Sequence, residues 1–143
     1  MEWLVGAGVL VVLGLMAFIR LTPIEAEEWH VAPRADWGPY GEVVPMTGGA
    51  SLRLAAEPDE ALRLLIALDA AALATPRTMR LAGSDVTGRI TWISRSAFWG
   101  FPDITTAEVR RDGLYVFSRL RFGREDMGVN ARRLRGWLAA LGR

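Results

Sequence analysis

An α+β domain carried on a single N-terminal transmembrane helix is the fold class this sequence predicts: an antiparallel sheet of about four to five strands with two helices packed on one face. Three observations carry that expectation. Residues 3–19 form an unbroken uncharged run, WLVGAGVLVVLGLMAFI. Residues 114–122 alternate, with Leu114, Val116, Ser118, Leu120 and Phe122 on one side and Tyr115, Phe117, Arg119 and Arg121 on the other, which is the period of a strand. Leu134, Trp137, Leu138 and Leu141 recur at i, i+3, i+4 and i+7, the stripe of a helix that packs on a partner surface. A chain of 143 residues has room for one domain and one appendage. The boundaries read as an anchor over 1–21, a Pro- and aromatic-rich tether over 22–49, and the α+β domain over 50–143.

As a helix, the apolar run extends roughly 26 Å, close to the roughly 30 Å hydrocarbon core of a bilayer. Arg20 can snorkel at one end and Trp3 can sit at the interface at the other. A cleaved signal peptide needs a basic leader and a small-x-small site; Met1-Glu2 supplies no basic residue and no such site follows. Gly6, Gly8 and Gly14 leave space for a neighbouring helix. The expected partners are therefore the lipid bilayer and a membrane protein met through residues 3–19 and the tether.

Pro23, Pro33, Pro39 and Pro45 punctuate residues 21–49, predicting an extended path with one short strand near 42–44. Trp29, Trp37 and Tyr40 are aromatic islands that dock onto the domain or lie in the headgroup layer. His30 is the one histidine. Glu27, Glu28 and Asp36 are near it in sequence, but without metal-ligand spacing, so a packing role is expected and no metal site.

In the domain, Glu57-Pro58-Asp59-Glu60 opens a helix with Pro and acids in its first turn. Leu62, Leu65, Ile66, Leu68 and Leu73 form its apolar side, and Thr75-Pro76 stops it. Strand-like runs follow at about 77–82, 89–96, 104–111 and 114–122, linked by Gly-containing turns. The last helix spans about 129–141, with Asp126 or Asn130 as cap and Gly142 as stop. Arg132, Arg133 and Arg135 fall on its solvated side.

Composition excludes several chemistries. There is no cysteine, hence no disulfide, thiolate metal site or Cys nucleophile. The 17 basic residues are all arginine, so Lys Schiff-base chemistry is out. Net charge is +1 with 16 acidic residues interleaved, far from the one-sided basic excess of nucleic-acid binders. No P-loop, dinucleotide fingerprint or HExxH helix is present, and no cofactor is expected.

What remains is a concentration of polar residues over 94–133. Ser94-Arg95 and Ser118-Arg119 sit near the ends of two strand-like runs, and Asp103 and Asp126 lie in loops just beyond. Arg95, Arg119, Arg121, Arg124 and Asn130 are the candidate ligand-binding residues, because guanidinium groups make planar bidentate pairs with carboxylates and phosphates alike. No catalytic dyad is evident; Asp103 and Asp126 are the carboxylates that acid–base chemistry would use. The same residues can also compose an internal ion-pair and capping network that fixes the loops and the last helix.

WHVAP (29–33), TPR (75–77), GFPD (100–103), SRLRFG (118–123) and DMGVN (126–130) together resemble the signature of an uncharacterised bacterial and plastid family, over roughly residues 29–141. The resemblance implies no activity. It does imply small, membrane-anchored or exported proteins, against the positive-inside reading of Arg20, which favours a cytoplasmic domain. The chain lacks the lipid-attachment cysteine and basic N-tail of many such relatives. The expectation is a single-pass protein of the cell inner membrane with a periplasmic domain.

Three functions compete. The first is a non-enzymatic accessory or docking module of a membrane protein assembly. The second is a binding domain for an anionic small molecule or lipid headgroup, through the arginines. The third is a carboxylate-dependent hydrolase using Asp103 and Asp126.

Overall fold

The computed structural model describes residues 1–143. Helix α1 (Glu2–Leu21) is followed by one helical turn, α2 (Ala26–Trp29), and by strands β1 (Val44–Met46) and β2 (Gly49–Ala55). Helix α3 (Pro58–Leu73), strands β3 (Thr78–Ser84), β4 (Arg89–Arg95), β5 (Pro102–Arg110) and β6 (Gly113–Leu120), and helix α4 (Val129–Ala140) complete the chain. All strands join one antiparallel sheet in the order β1-β2-β6-β5-β4-β3. The α+β class holds, but the sheet has six strands where four to five were expected.

The extra strand is β2, which forms a hairpin with β1. β2 reads GASLRLA, with no aromatic or β-branched residue to advertise a strand. It pairs nonetheless with β6 along its whole length, from Gly49↔Arg119 to Ala55↔Gly113. This places Leu52 and Leu54, each 2% exposed, in the core. β1 starts two residues later than expected, with Pro45 tolerated because the strand is at the sheet's edge.

Helices α3 and α4 cover one face. Leu52, Leu54, Ile90, Trp92, Leu114 and Val116 of the sheet meet Leu64, Leu65 and Leu68 of α3 and Leu134 and Trp137 of α4. Trp92 and Trp137 pack edge-on at 5.7 Å, and each indole N–H has an acceptor, Asp69 at 2.8 Å and Thr75 at 2.8 Å. The buried stripe of α3 is Ala61, Leu64, Leu65, Leu68 and Ala72, rotated from the expected one. Ile66 and Leu73 are about half exposed, at 48% and 49%, because the two alanines let the helix approach the sheet on their side.

Residues 22–43 lie across the sheet's second face. The Trp29 ring stacks under Arg119, and His30 Nδ1 shares a hydrogen bond with Thr91 Oγ1 at 2.7 Å. Arg110 donates to the Pro33 carbonyl at 2.8 Å and to Asp36 at 2.6 Å. Arg53 donates to the Gly38 carbonyl, and the Tyr40 hydroxyl to Asp112 at 2.7 Å. A sheet covered on both sides explains the unbroken burial of residues 90–94 and 102–107, where a one-sided sheet would alternate. His30 is a packing residue here.

Helix α1 is long and apolar enough to cross a membrane, with mean hydropathy 2.4 over its best window and 6% of that window buried. Its last turn meets the domain. Ile19 is 3% exposed, Phe18 lies 6.2 Å from Phe122, and Arg20 Nη2 donates to the Phe98 carbonyl at 2.7 Å.

Candidate functional site

On the helix-covered face, one end of the sheet carries a buried polar chain. Register puts Ser118 opposite Thr105, and their hydroxyls are 2.7 Å apart. Ser118 Oγ donates to Asn130 Oδ1 at 2.6 Å; Asn130 Nδ2 donates to Asp126 Oδ2 at 2.8 Å. Arg133 Nη1 also donates to Asn130 Oδ1, and its Nη2 reaches Asp103 Oδ2 at 3.0 Å. Thr105, Ser118 and Asn130 are fully buried, so each needs the partner it has.

The first turn of α4 explains Asp126. The helix begins after Gly128, which takes φ +77 and supplies no side chain to cap the exposed N–H groups. Asp126 does so from two residues earlier, accepting from the backbone N–H of Gly128 at 3.0 Å and of Asn130 at 2.9 Å. Burial pushes its carboxyl up, but the N–H groups of Asn130 and Gly128 outweigh that and hold it below the usual range. Asp103 goes the other way. Burial pushes it above the usual range, and Arg133 only partly opposes this.

Both carboxylates line an open cleft of about 370 Å³ together with Phe101, Leu120, Phe122 and Met127. Three of the sequence blocks quoted above, GFPD, SRLRFG and DMGVN, meet around it. A cleft with apolar walls and two carboxylates of opposite displacement can hold an amphiphilic ligand or separate an acid from a base.

The arginines are elsewhere. Arg95 and Arg119 point to the second face, where Arg119 lies 4.5 Å from the Trp29 ring centroid. Arg121 lies 5.7 Å from the same ring and 5.3 Å from that of Phe122. Burial lowers the Arg119 pKa, with Arg34 adding to the effect. Arg95 Nη1 donates to the Gly100 carbonyl at 2.9 Å, and its pKa is lowered by burial and then by Arg20 and Arg121. Arg124 is exposed in the loop before α4.

The expectation of one constellation, in which Asp103 and Asp126 approach Arg95, Arg119 and Arg121, is therefore corrected: none of these arginines forms an ion pair with either carboxylate. The cause is strand pleat. Adjacent residues of a strand face opposite ways, so Ser94 and Ser118 join the helix side while Arg95 and Arg119 go to the other. The cation that pairs with Asp103 is Arg133, expected to be solvated but with a side chain only 13% exposed. Its signal was available: it sits three residues after Asn130, on the same helical face. Arg20, expected from the sequence only to snorkel at the end of the anchor, sits beside Arg95, as does Arg121.

No curated protein and no solved structure matches the chain. The family described as "Protein of unknown function (DUF1499)" matches residues 45–141, well over half of the length, and that span includes the three blocks that surround the cleft. The chain belongs to this family, whose function is uncharacterised.

Proposed function

We propose that the protein is a non-enzymatic accessory module, anchored in the cell inner membrane by α1 with its domain on the periplasmic side, that docks onto a membrane protein assembly. The joint between α1 and the domain is the observation that carries this reading. Phe18 packs near Phe122, Arg20 binds the Phe98 carbonyl, and Arg95 reaches the carbonyls of Ile19 and Gly100. A head fixed to the last turn of its helix presents one surface at a constant height and angle, as docking requires; a flexible leash would not. The same contacts support retention of α1, since cleavage would strip Ile19 from its burial. Gly6, Gly8 and Gly14 have no atom within 4 Å of where a Cβ would stand, which favours close approach of a partner helix. Purifying the full chain from its native membrane in mild detergent tests the reading. A stoichiometric membrane-protein partner, lost on Gly8→Leu or Gly14→Leu substitution, is expected. A lone monomer under every solubilising condition would refute it.

The displaced carboxylates favour a second reading, a hydrolase acting at the cleft with Asp103 as acid and Asp126 as base. It ranks lower because Asp126 already accepts from three N–H groups and Asp103 from Arg133. Full activity of Asp126→Asn in a hydrolytic assay would remove it.

A further inference from the structure

We infer that the underside of the domain is a lipid-contacting face, on which Arg20, Arg95 and Arg121 seat the phosphodiester of an anionic phospholipid while the 96–101 loop lays Phe98 and Trp99 into the interfacial layer. The inference rests on the reading of α1 as a retained membrane span.

The three guanidinium groups converge from different parts of the chain. Arg95 is the register partner of Pro102, and the Arg121 N–H donates to the Pro102 carbonyl, so both side chains leave the same end of the sheet. Arg20 arrives from the last turn of α1, lying so close over Gly100 that a Cβ there would stand 2.8 Å from its Cγ. No carboxylate pairs with any of the three. The negative end of the α1 dipole offers roughly half an elementary charge, which leaves most of three positive charges uncompensated. Arg20 and Arg95 donate to carbonyls of Phe98, Ile19 and Gly100, which carry no net charge, so the cluster attracts an anion.

Position identifies the anion. Arg20 marks the end of the apolar run, which in a bilayer is the headgroup level. Phe98, 64% exposed, lines a groove with Val9, Val12, Leu13 and Met16 of α1. Met16 is one turn before Arg20, about 6 Å deeper along the helix. The loop thus descends from the headgroup level towards the acyl chains. Behind it runs an aromatic series: Phe98 to Trp99 at 5.3 Å, Trp99 to Phe101 at 6.2 Å, Phe101 to Phe122 at 6.5 Å, and Phe122 to Phe18 at 6.2 Å. An exposed apolar surface continuous with a membrane span belongs in the membrane. A phosphodiester has two free oxygens that match guanidinium forks, and a surplus of positive charge selects an anionic lipid over a zwitterionic one.

The test uses the full chain in nanodiscs of phosphatidylcholine doped with phosphatidylglycerol. The chain has no cysteine, so a nitroxide on Ala97→Cys is unique, with Val86→Cys, 91% exposed on the β3–β4 turn, as the aqueous reference. The Ala97 label should be relaxed by oxygen and shielded from an aqueous nickel chelate, and the Val86 label the reverse; equal exposure of both to the chelate would overturn the inference. Spin-labelled lipids then measure headgroup preference. The Arg121 side chain makes no hydrogen bond or ion pair in the fold and lies near the Trp29 and Phe122 rings, so Arg121→Gln should melt within a few degrees of the parent. It should lower the preference for phosphatidylglycerol about fivefold, the effect of one basic residue at an anionic surface, and Arg121→Lys should retain it. Unchanged preference in Arg121→Gln would overturn the seat, and competition by dissolved glycerol phosphate would reassign it to a soluble anion. A lone monomer in detergent would sink the docking function while leaving these readouts intact.

Discussion

Replacing Asn130 by alanine decides whether the buried polar chain is structure or site. The residue is fully buried and its amide joins three neighbours: Ser118 at 2.6 Å, Asp126 at 2.8 Å, and Arg133. Each neighbour keeps another partner after truncation. Ser118 keeps Thr105, Asp126 keeps two backbone N–H groups, and Arg133 keeps Asp103. The cost is therefore that of the lost bonds and not of orphaned groups: about 1 kcal/mol for the neutral bond and about 1.5 kcal/mol for each of the two charged ones. The total of roughly 4 kcal/mol corresponds to a fall in Tm of about 12 °C for a chain of this size. Tryptophan fluorescence reads it directly, because Trp137 of α4 and its neighbour Trp92 sit in the core. A loss below about 1 kcal/mol, well under the bond total, would refute the structural reading and return Asn130 to a ligand. Asn130→Asp adds a contrast with the same shape. It sets a second carboxylate against Asp126, so the folded state binds protons more tightly and the deficit should shrink as pH falls.

Asp126→Ala removes the acceptor at the start of α4 and should cost about 1–2 kcal/mol at neutral pH. Because the folded pKa is depressed, that contribution is present above the unfolded value of 3.8 and lost as pH falls through the folded one; urea midpoints of parent and variant should converge in acid, and parallel curves would refute the assignment. His30 has its pKa lowered from 6.5, first by burial and then by Arg89. Its neutral form supports the packed state above pH 6.5, and that support fades as pH drops through the lowered value. Hydrogen exchange over residues 26–36 should accelerate there while β4–β6 stay protected, and pH-independent protection of this segment would refute the role. Gly83→Ala places a methyl group against the Arg89 carbonyl at φ +86 in a strand whose register shifts nearby; a loss of about 3 kcal/mol or more is expected in thermal unfolding, and an unchanged Tm would show that β3 can flatten.

Local signals made much of the architecture legible. The apolar run of α1, the Pro and acids opening α3, the alternation of β6 and the stripe of α4 each depend on residues a few positions apart. β2 was not legible that way. Gly-Ala-Ser-Leu-Arg-Leu-Ala has weak strand propensity, and β6 is the partner that makes it a strand, some sixty residues away. Residues 22–43 were legible in part: docking of Trp29 and Tyr40 on the domain and packing of His30 were among the expectations, but prolines and glycines, which mark irregular backbone, do not say that these side chains will close the far face of a sheet. The candidate site fared similarly. Asp103 and Asp126 were singled out as carboxylates and Asn130 alongside the arginines, but not as one chain, and Arg133 looked solvated because nothing local announces the carboxylate it meets from thirty residues away.

The sequence by itself determined what short-range periodicity and composition control: an apolar helix, an α+β domain, and a chemistry without thiols, lysines or excess charge. Pleat parity within β6 even dictated that Ser118 and Arg119 would part. Tertiary structure alone decided which charges meet. Pairing of β4, β5 and β6, and the seating of α1 on the domain, bring Arg20 to Arg95 and Arg121 and leave Asp103 to Arg133. Those choices depend on register and packing between distant segments, which no local pattern encodes.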